Sequence, residues 1–274
     1  MRASRHRHLT IAVVTGASRG IGRASALALA DTGFDVALVA RSAAGLDETR
    51  DLIGKRGGSA FSIVADVTDG DEVRTAFQKI EERGQVAVLV NNAGSLLAIG
   101  PLWEVDPDDW WSDLRTSIGG VFNFCRVVVP RMIARRDGRI INVTSYAALR
   151  PAPYETGYAC AKAGIVSLTE ALAASLEDHG VKAFAVAPGF TRTEMTRGLT
   201  ESEAGRRWLP GVGERPVVDV ERSADLISML ASGAADVLNG RLLHALDNVD
   251  ALLGRVHEIR RDDLYVPRLR RLAD

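Results

Sequence analysis

Leu9-Thr10-Ile11-Ala12-Val13-Val14-Thr15-Gly16-Ala17-Ser18-Arg19-Gly20-Ile21-Gly22 decides the fold of this chain. Its first half is a short apolar, β-branched run, the pattern of a buried strand. A glycine turn follows, and then Arg23 to Asp31, an alanine-rich stretch of helical character. Strand, glycine turn and helix in that order are the setting in which such glycines carry meaning. They let backbone N–H groups approach a phosphate at the helix N-terminus, where the helix dipole also favours an anion. The spacing G-x-x-x-G-x-G is a variant of the usual dinucleotide fingerprint. Gly16, Ser18, Arg19, Gly20, Ile21 and Gly22 are therefore candidate cofactor contacts, although a tight turn with close helix–strand packing would use the same glycines.

The alternation repeats outward from that turn. Asp35 to Ala40 reads as strand, Ala43 to Arg56 as helix, Ser59 to Ala65 as strand, Asp69 to Arg83 as helix and Val86 to Val90 as strand. Pro107 to Arg136 makes a long helical region, bent near Gly119-Gly120 and Pro130. Arg139 to Thr144, Val181 to Ala187 and Gly240 to Ala245 are further strands, with helices at Tyr158 to His179 and Asp219 to Ala231 between them. Strands that lack polar alternation and are separated by helices imply an α/β fold. The expectation is a Rossmann-like doubly wound parallel sheet of about seven strands with helices on both faces. The chain reads as a single domain over 1–274, with a core of about 9–245 and a C-terminal helical extension at about 247–274. Phe190 to Pro216 reads as one long irregular loop, the form a functional lid takes.

Composition limits the partners. With 46% hydrophobic and 25% charged residues over 274 positions, the chain has enough apolar content for a sizeable core. A formal net charge of -1 gives no bulk attraction to nucleic acid, so none is expected as a partner. Arginines cluster at the ends (Arg2, Arg5 and Arg7; Arg260, Arg261, Arg268, Arg270 and Arg271), but Asp262 and Asp263 dilute the second group into a solvated surface. Cys125 and Cys160 form no disulfide framework and no metal-ligand spacing, which suits a reduced, cytoplasmic setting. No stretch reads as a signal or a membrane span.

Open α/β sheets hold ligands at the carboxyl ends of their strands. The glycine turn, Asp66, Asn92, Ser145 and Pro188 all fall at such ends, which points to one composite site. Where an acid would take the ribose hydroxyls after the second strand, Ala40 stands instead, followed by Arg41. Arg41 and Arg19, with no carboxylate beside them in the motif, suit a phosphomonoester that guanidinium can hold bidentately. Further on, Tyr158 and Lys162 lie four apart and share a helix face. A fixed positive charge beside a phenol is expected to lower its pKa and make it a usable general acid near neutral pH.

Together Thr15-Gly16-Ala17-Ser18-Arg19-Gly20-Ile21-Gly22, Asp66-Val67, Asn91-Asn92-Ala93-Gly94, Ser145, Tyr158-x-x-x-Lys162 and Pro188-Gly189 resemble the short-chain dehydrogenase/reductase family. The resemblance covers roughly Leu9 to Ala245. Within the family the chain is similar to NADP(H)-using reductases such as the 3-oxoacyl-(acyl carrier protein) reductases. The resemblance implies an oxidoreductase that moves a hydride between NADP(H) and a small-molecule carbonyl or secondary alcohol. It implies Tyr158 as acid/base, Lys162 as its partner and holder of the nicotinamide ribose, and Ser145 on the substrate oxygen. Ser145 lies thirteen positions before the tyrosine (158 − 145), with Thr144 as the nearest rival. Asp66 would take the adenine amino group with Val67 beside the ring, and Asn92, Ala93 and Gly94 would line the cofactor. Pro188, Gly189, Thr191 and Thr193 would meet the nicotinamide carboxamide. A homo-oligomer, tetramer or dimer, built on the two long helical regions is also implied.

Two departures stand out. The family's catalytic asparagine falls at Ser117, whose hydroxyl can hold a water near Lys162 more loosely. The chain also runs past Leu246-Asp247-Asn248 where many members stop. The alternatives are an NAD(H)-linked dehydrogenase, should Arg41 point away, and a cofactor-binding regulatory protein on the same fold. Leu96, Leu97, Trp103, Trp208 and Leu209 suggest an apolar pocket wall, or plain lid packing.

Overall fold

The structure, a computed structural model, describes residues 9–269. Seven strands form one parallel sheet: β1 (Leu9–Thr15), β2 (Asp35–Ala40), β3 (Ser59–Val64), β4 (Gly84–Asn91), β5 (Gly138–Val143), β6 (Val181–Ala187) and β7 (Leu242–His244). The helices are α1 (Gly20–Asp31), α2 (Ala43–Lys55), α3 (Gly70–Glu81), α4 (Pro107–Leu114), α5 (Gly120–Arg135), α6 (Thr156–Ser175), α7 (Glu194–Glu201), α8 (Glu203–Trp208), α9 (Val220–Ser232), α10 (Val249–Leu253) and α11 (Val256–Arg261). The strands lie in the order β3-β2-β1-β4-β5-β6-β7. Winding therefore reverses between β1 and β4, and the chains leaving their carboxyl ends part to open a crevice there.

Apolar side chains fix this arrangement. Ile11, Ala12, Val13 and Val14 of β1 expose no surface. Successive strand residues point to opposite faces. Ile11 and Val13 accordingly join Phe77, Phe124 and Ile165 in one layer, while Ala12 and Val14 join Leu29, Leu46 and Ile227 in the other. Helices α3, α5 and α6 thus cover one face and α1, α2 and α9 the other. Each such buried aliphatic side chain contributes about 1.5–3 kcal/mol, so the crevice is framed by rigid elements.

Three stretches differ from expectation. Phe190 to Pro216 is not one irregular loop. Thr193 and Ser202 cap α7 and α8 by accepting from the Thr196 and Gly205 amides, and Leu199 and Val212 are buried beneath them. The bend near Gly119 is a π-helical turn, Arg115–Gly119, that joins α4 to α5 without a break. That continuous run, Pro107–Arg135, is long and apolar enough by composition to cross a membrane, which the sequence reading does not anticipate. Its Val121, Phe124, Val128 and Met132 are instead buried in the core beside the sheet.

The extension forms α10 and α11 and then an arm that returns along the outer edge of β7. The Leu242 amide donates to the Tyr265 carbonyl at 2.8 Å, and Arg241 Nη1 donates to the Leu264 carbonyl at 3.1 Å. Arg268 pairs with Glu170 on α6. Asp263 and Tyr265 are left-handed, at φ 48° and 62°, a conformation costing roughly 1–2 kcal/mol per non-glycine residue that these bonds offset. Arg261 pairs with Asp262 and Arg268 with Asp263, in keeping with a solvated surface; Arg2, Arg5, Arg7, Arg270 and Arg271 lie outside the described residues.

Candidate active site

The glycine turn is built to let backbone reach a ligand. Gly16 and Gly20 are left-handed, at φ 65° and 55°. A Cβ on Gly16 would lie 2.8 Å from Asn92 Nδ2, and one on Gly22 would lie 2.2 Å from the Gly16 carbonyl oxygen. No larger residue fits either place. Gly22 therefore serves the packing of the turn and does not face the crevice. Helix α1 starts at Gly20 with no acidic residue in its first turn, so its N-terminal amides keep their pull on an anion. Asn92 braces the turn from the end of β4: its Nδ2 donates to the carbonyls of Thr15 (3.0 Å) and Gly16 (3.3 Å). The Asn92 and Ala93 amides both donate to Thr15 Oγ1 at 3.0 Å. One buried hydroxyl thus ties the ends of β1 and β4 together.

A cleft of about 440 Å³ runs from this turn in both directions. Gly16, Ser18, Arg19, Gly20, Ile21, Arg41, Asp66, Val67, Asn92, Ala93, Gly94, Tyr158, Lys162, Pro188 and Thr193, all candidate residues from the sequence, line it. Its outer end corrects one expectation, that the two guanidiniums stand without carboxylates. Arg19 forms an ion pair with Glu194, and Arg41 Nη1 lies 3.8 Å from Asp66 Oδ2. Asp66 is itself occupied locally, its Oδ1 accepting from the Thr68 amide (2.9 Å) and hydroxyl (2.8 Å). Gly-turn amides, a free helix N-terminus and two arginines around an elongated cleft are a donor set that fits a dinucleotide phosphate.

The inner end carries the chemistry. Ser145 stands outside the cleft lining and reaches it through a bond to the Tyr158 phenol; it caps the 3-10 turn Tyr146–Ala148, its hydroxyl accepting from the Ala147 amide at 3.2 Å. Tyr158 and Lys162 share one face of α6, with Lys162 Nζ 5.5 Å from the Tyr158 ring centroid. Lys162 is buried and donates to the Val143 carbonyl at 2.9 Å, while Thr144 Oγ1 donates to the Lys162 carbonyl at 2.9 Å. Thr144, the rival of Ser145, is thereby committed to holding α6 against β5. Ser117 is fully buried in the π-helical turn, and its hydroxyl has no partner among the described residues. A Cβ on Gly94 would lie 3.3 Å from Ser117 Oγ and 3.5 Å from Lys162 Nζ, so both side chains approach Gly94, with no hydrogen bond between them.

Protonation differs from what spacing alone suggests. Tyr158 keeps some surface on the cleft, yet protein crowds it closely, and burial pushes its phenol up to about 12. The Ser145 hydroxyl pulls it back, and the carboxylates of Glu155 and Asp113 raise it further. Lys162 does not bring it down; burial lowers Lys162 itself to about 8. The phenol is thus a proton donor held in its protonated form.

Residues that sequence reasoning missed complete the walls. Ser42, Ala65, Thr116, Val143, Glu194 and Met195 also line the cleft, beside Ala40 and Thr144, which the sequence already singles out. Asp113 is fully buried and accepts from the amides of Leu97 (2.9 Å) and Ala98 (3.2 Å), which holds the loop after Gly94. Burial raises its carboxyl, the bonds from Ser95 and from those amides opposing the rise. Gly189 and Thr191 stand behind the lining: Gly189 is a left-handed turn residue at φ 78°, and the buried Thr191 offers its carbonyl to Thr196 Oγ1 at 2.7 Å. Trp103 is 84% exposed and forms no pocket wall. Trp208 packs on Tyr154 with ring centroids 5.2 Å apart, so it belongs to the packing of the lid.

Comparison with known proteins gives a consistent result. The family model for short chain dehydrogenases matches residues 10–204. The chain is 35% identical over 234 residues to a 3-oxoacyl-(acyl carrier protein) reductase of Chlamydia muridarum, covering 85% of this chain and 94% of that one. It resembles the crystal structure of a gluconate 5-dehydrogenase from Burkholderia cenocepacia J2315 in complex with NADP and tartrate, with TM-score 0.77 and 33% identity over 86% of this chain and 92% of that chain. It also resembles a single-site variant of actinorhodin polyketide ketoreductase crystallised with NADPH, with TM-score 0.78 and 27% identity over 86% and 95% of the two chains.

Proposed function

The chain belongs to the short-chain dehydrogenase family and is an NAD(P)-dependent oxidoreductase acting on a small molecule, and on that premise we propose an NADP(H)-linked reductase of carbonyl compounds with Tyr158 as its acid. The observation that carries the reading is Tyr158 and Lys162 lining the inner end of a cleft whose outer rim carries Arg19 and Arg41, with the Ser145 hydroxyl bonded to the Tyr158 phenol just outside that lining. A nicotinamide dinucleotide in that cleft would supply the hydride. The turn amides of Gly16 to Ile21 would hold its phosphates, Asp66 and Val67 its adenine, Lys162 its nicotinamide ribose, and Pro188 to Thr193 its carboxamide. Ser145 donates a hydrogen bond to the substrate oxygen, so developing charge meets a donor already in place. Tyr158 gives its proton to the same oxygen; an alkoxide is a stronger base than a phenolate, so donation runs downhill even from a raised phenol. A second reading, NAD(H)-linked, is favoured by the carboxylate of Asp66 beside Arg41. A screen of carbonyl compounds that follows NADPH and NADH absorbance tests the proposal, and oxidation of neither cofactor by any compound counts against it.

Ser117 bears on the return of protons to the site. Its hydroxyl is buried, unpartnered among the described residues and, like Lys162 Nζ, close to Gly94, so it can hold a water there, with one donor fewer than the asparagine common in the family. Ser117→Ala should lower turnover by about 2- to 10-fold, the worth of one hydrogen bond, while Ser117→Asn should leave it level or raise it. Steady-state rates of the two variants check this. Equal rates for alanine and serine would remove Ser117 from the relay.

We read the chain, 1–274, as one catalytic domain with a core of about 9–245 and an extension at about 247–274, cytoplasmic, and assembled as a homo-oligomer through the α4–α5 run and α6. Support for the assembly lies in apolar surface left on the α4–α5 run, where Trp111 and Phe122 are each 53% exposed. Sedimentation at micromolar protein should show a dimer or tetramer; a monomer refutes this surface as a self-association site.

A further inference from the structure

The loop after β1 and the start of α7 touch across the outer mouth of the cleft. A Cβ built on Gly20 would lie 3.2 Å from Thr193 Cγ2, so the two segments already run within packing distance. One residue further out on each side, Arg19 and Glu194 form an ion pair. Both line the cleft, and their side chains remain 66% and 49% exposed, so the pair sits on the rim and faces the ligand space. Glu194 is the first residue of α7, where the helix dipole favours a carboxylate, and Thr193 caps that turn through a reciprocal bond pattern with Thr196. The carboxylate is therefore held at this spot by two independent attractions. Among the described residues, Glu194 is the one carboxylate paired with Arg19.

Arg41 is placed differently. Its 3.8 Å approach to Asp66 is loose, and Asp66 spends one oxygen on Thr68, so Arg41 can turn to a phosphate without giving up a close partner. Arg19 cannot. We propose that Glu194 is a specificity-determining residue: it competes with the 2′-phosphate of NADP(H) for the Arg19 guanidinium and so narrows the preference over NAD(H), which carries no such phosphate. This rests on the reading of Arg19 as a phosphate ligand. A guanidinium cannot give its full bidentate fork to two anions at once, so whatever the carboxylate holds the phosphate must displace.

Titration of NADP+ and NAD+ by calorimetry into the full chain and its variants tests the competition. Glu194→Gln keeps the shape and capping of α7 and removes the charge. It should bind NADP+ about 2- to 5-fold tighter, the scale of an exposed ion pair, with NAD+ affinity moved much less. Arg19→Ala should weaken NADP+ selectively, and adding Glu194→Gln to it should change nothing more, because the interaction is already gone. If Arg19→Ala weakens NADP+ but Glu194→Gln leaves the ratio of the two affinities where it was, the competition is wrong and the phosphate role of Arg19 stands. If Arg19→Ala leaves NADP+ affinity unchanged, both fall together.

Discussion

Tyr158→Phe should leave cofactor affinity near the parental value and cut turnover by about 10²- to 10⁴-fold, the usual worth of general acid–base help. The substitution removes one hydroxyl and keeps the ring that packs beside Lys162, so the cleft should hold its shape. The sign of the raised phenol pKa matters here. An acid pushed up to about 12 stays protonated through the whole neutral range, so reduction should not lack its donor between about pH 6 and 9. Lys162, lowered to about 8, changes charge first as pH rises. An alkaline limb near that pH therefore belongs to the lysine. NADPH titration by fluorescence and steady-state rates on any carbonyl substrate separate binding from chemistry. Near-parental turnover in the phenylalanine variant would overturn the tyrosine mechanism and the reading built on it.

Arg41→Asp should invert the cofactor preference. In the parent chain Ala40 closes β2 where an acid would take ribose hydroxyls, and Arg41 follows on the rim of the cleft. A charge-assisted hydrogen bond contributes about 1.5–3 kcal/mol, so removing the guanidinium alone should weaken NADPH by roughly 10- to 100-fold. The new carboxylate repels the phosphate of NADPH and offers an acceptor to the hydroxyls of NADH. Titration of both cofactors into parent and variant measures this directly. Equal affinities in the parent chain would remove the basis for the NADP(H) reading.

The fold is legible in the sequence because parallel strands covered on both faces leave short runs dominated by apolar residues without polar alternation. β1, β2 and β4 to β6 announce themselves that way, and the residues at their carboxyl ends converge on the cleft without any structure in hand. The lid is not legible. Helices α7 and α8 are each about two turns long, too short to show a period, and what stabilises them is two hydroxyl caps and the burial of Leu199 and Val212. Asp113 sits in a run with Asp108 and Asp109, and nothing in that run tells the fully buried acid from the two exposed ones. The pairing of Arg19 with Glu194 joins residues far apart in the chain, and only topology brings them together. The protonation of Tyr158 escapes the sequence for the same kind of reason: a neighbouring charge can be read from spacing, but burial cannot.

The C-terminal arm has a consequence for how the molecule behaves among other chains. A sheet edge with unpaired amides is a template for intermolecular pairing and so an aggregation hazard. This sheet ends in β3 and β7. At β7 the Leu242 amide is taken by Tyr265, and Arg268 fastens the arm to α6, so that border is sealed by the chain's own tail. At β3 no further strand pairs with the outer edge among the described residues. Its protection is compositional: the polar Ser59 and Ser62 interrupt its apolar residues, and Ser59 is tied back to Asp35 at 2.7 Å. The same hazard is met by covering at one border and by chemistry at the other, which leaves β3 as the border where a change of side chain would most affect colloidal behaviour.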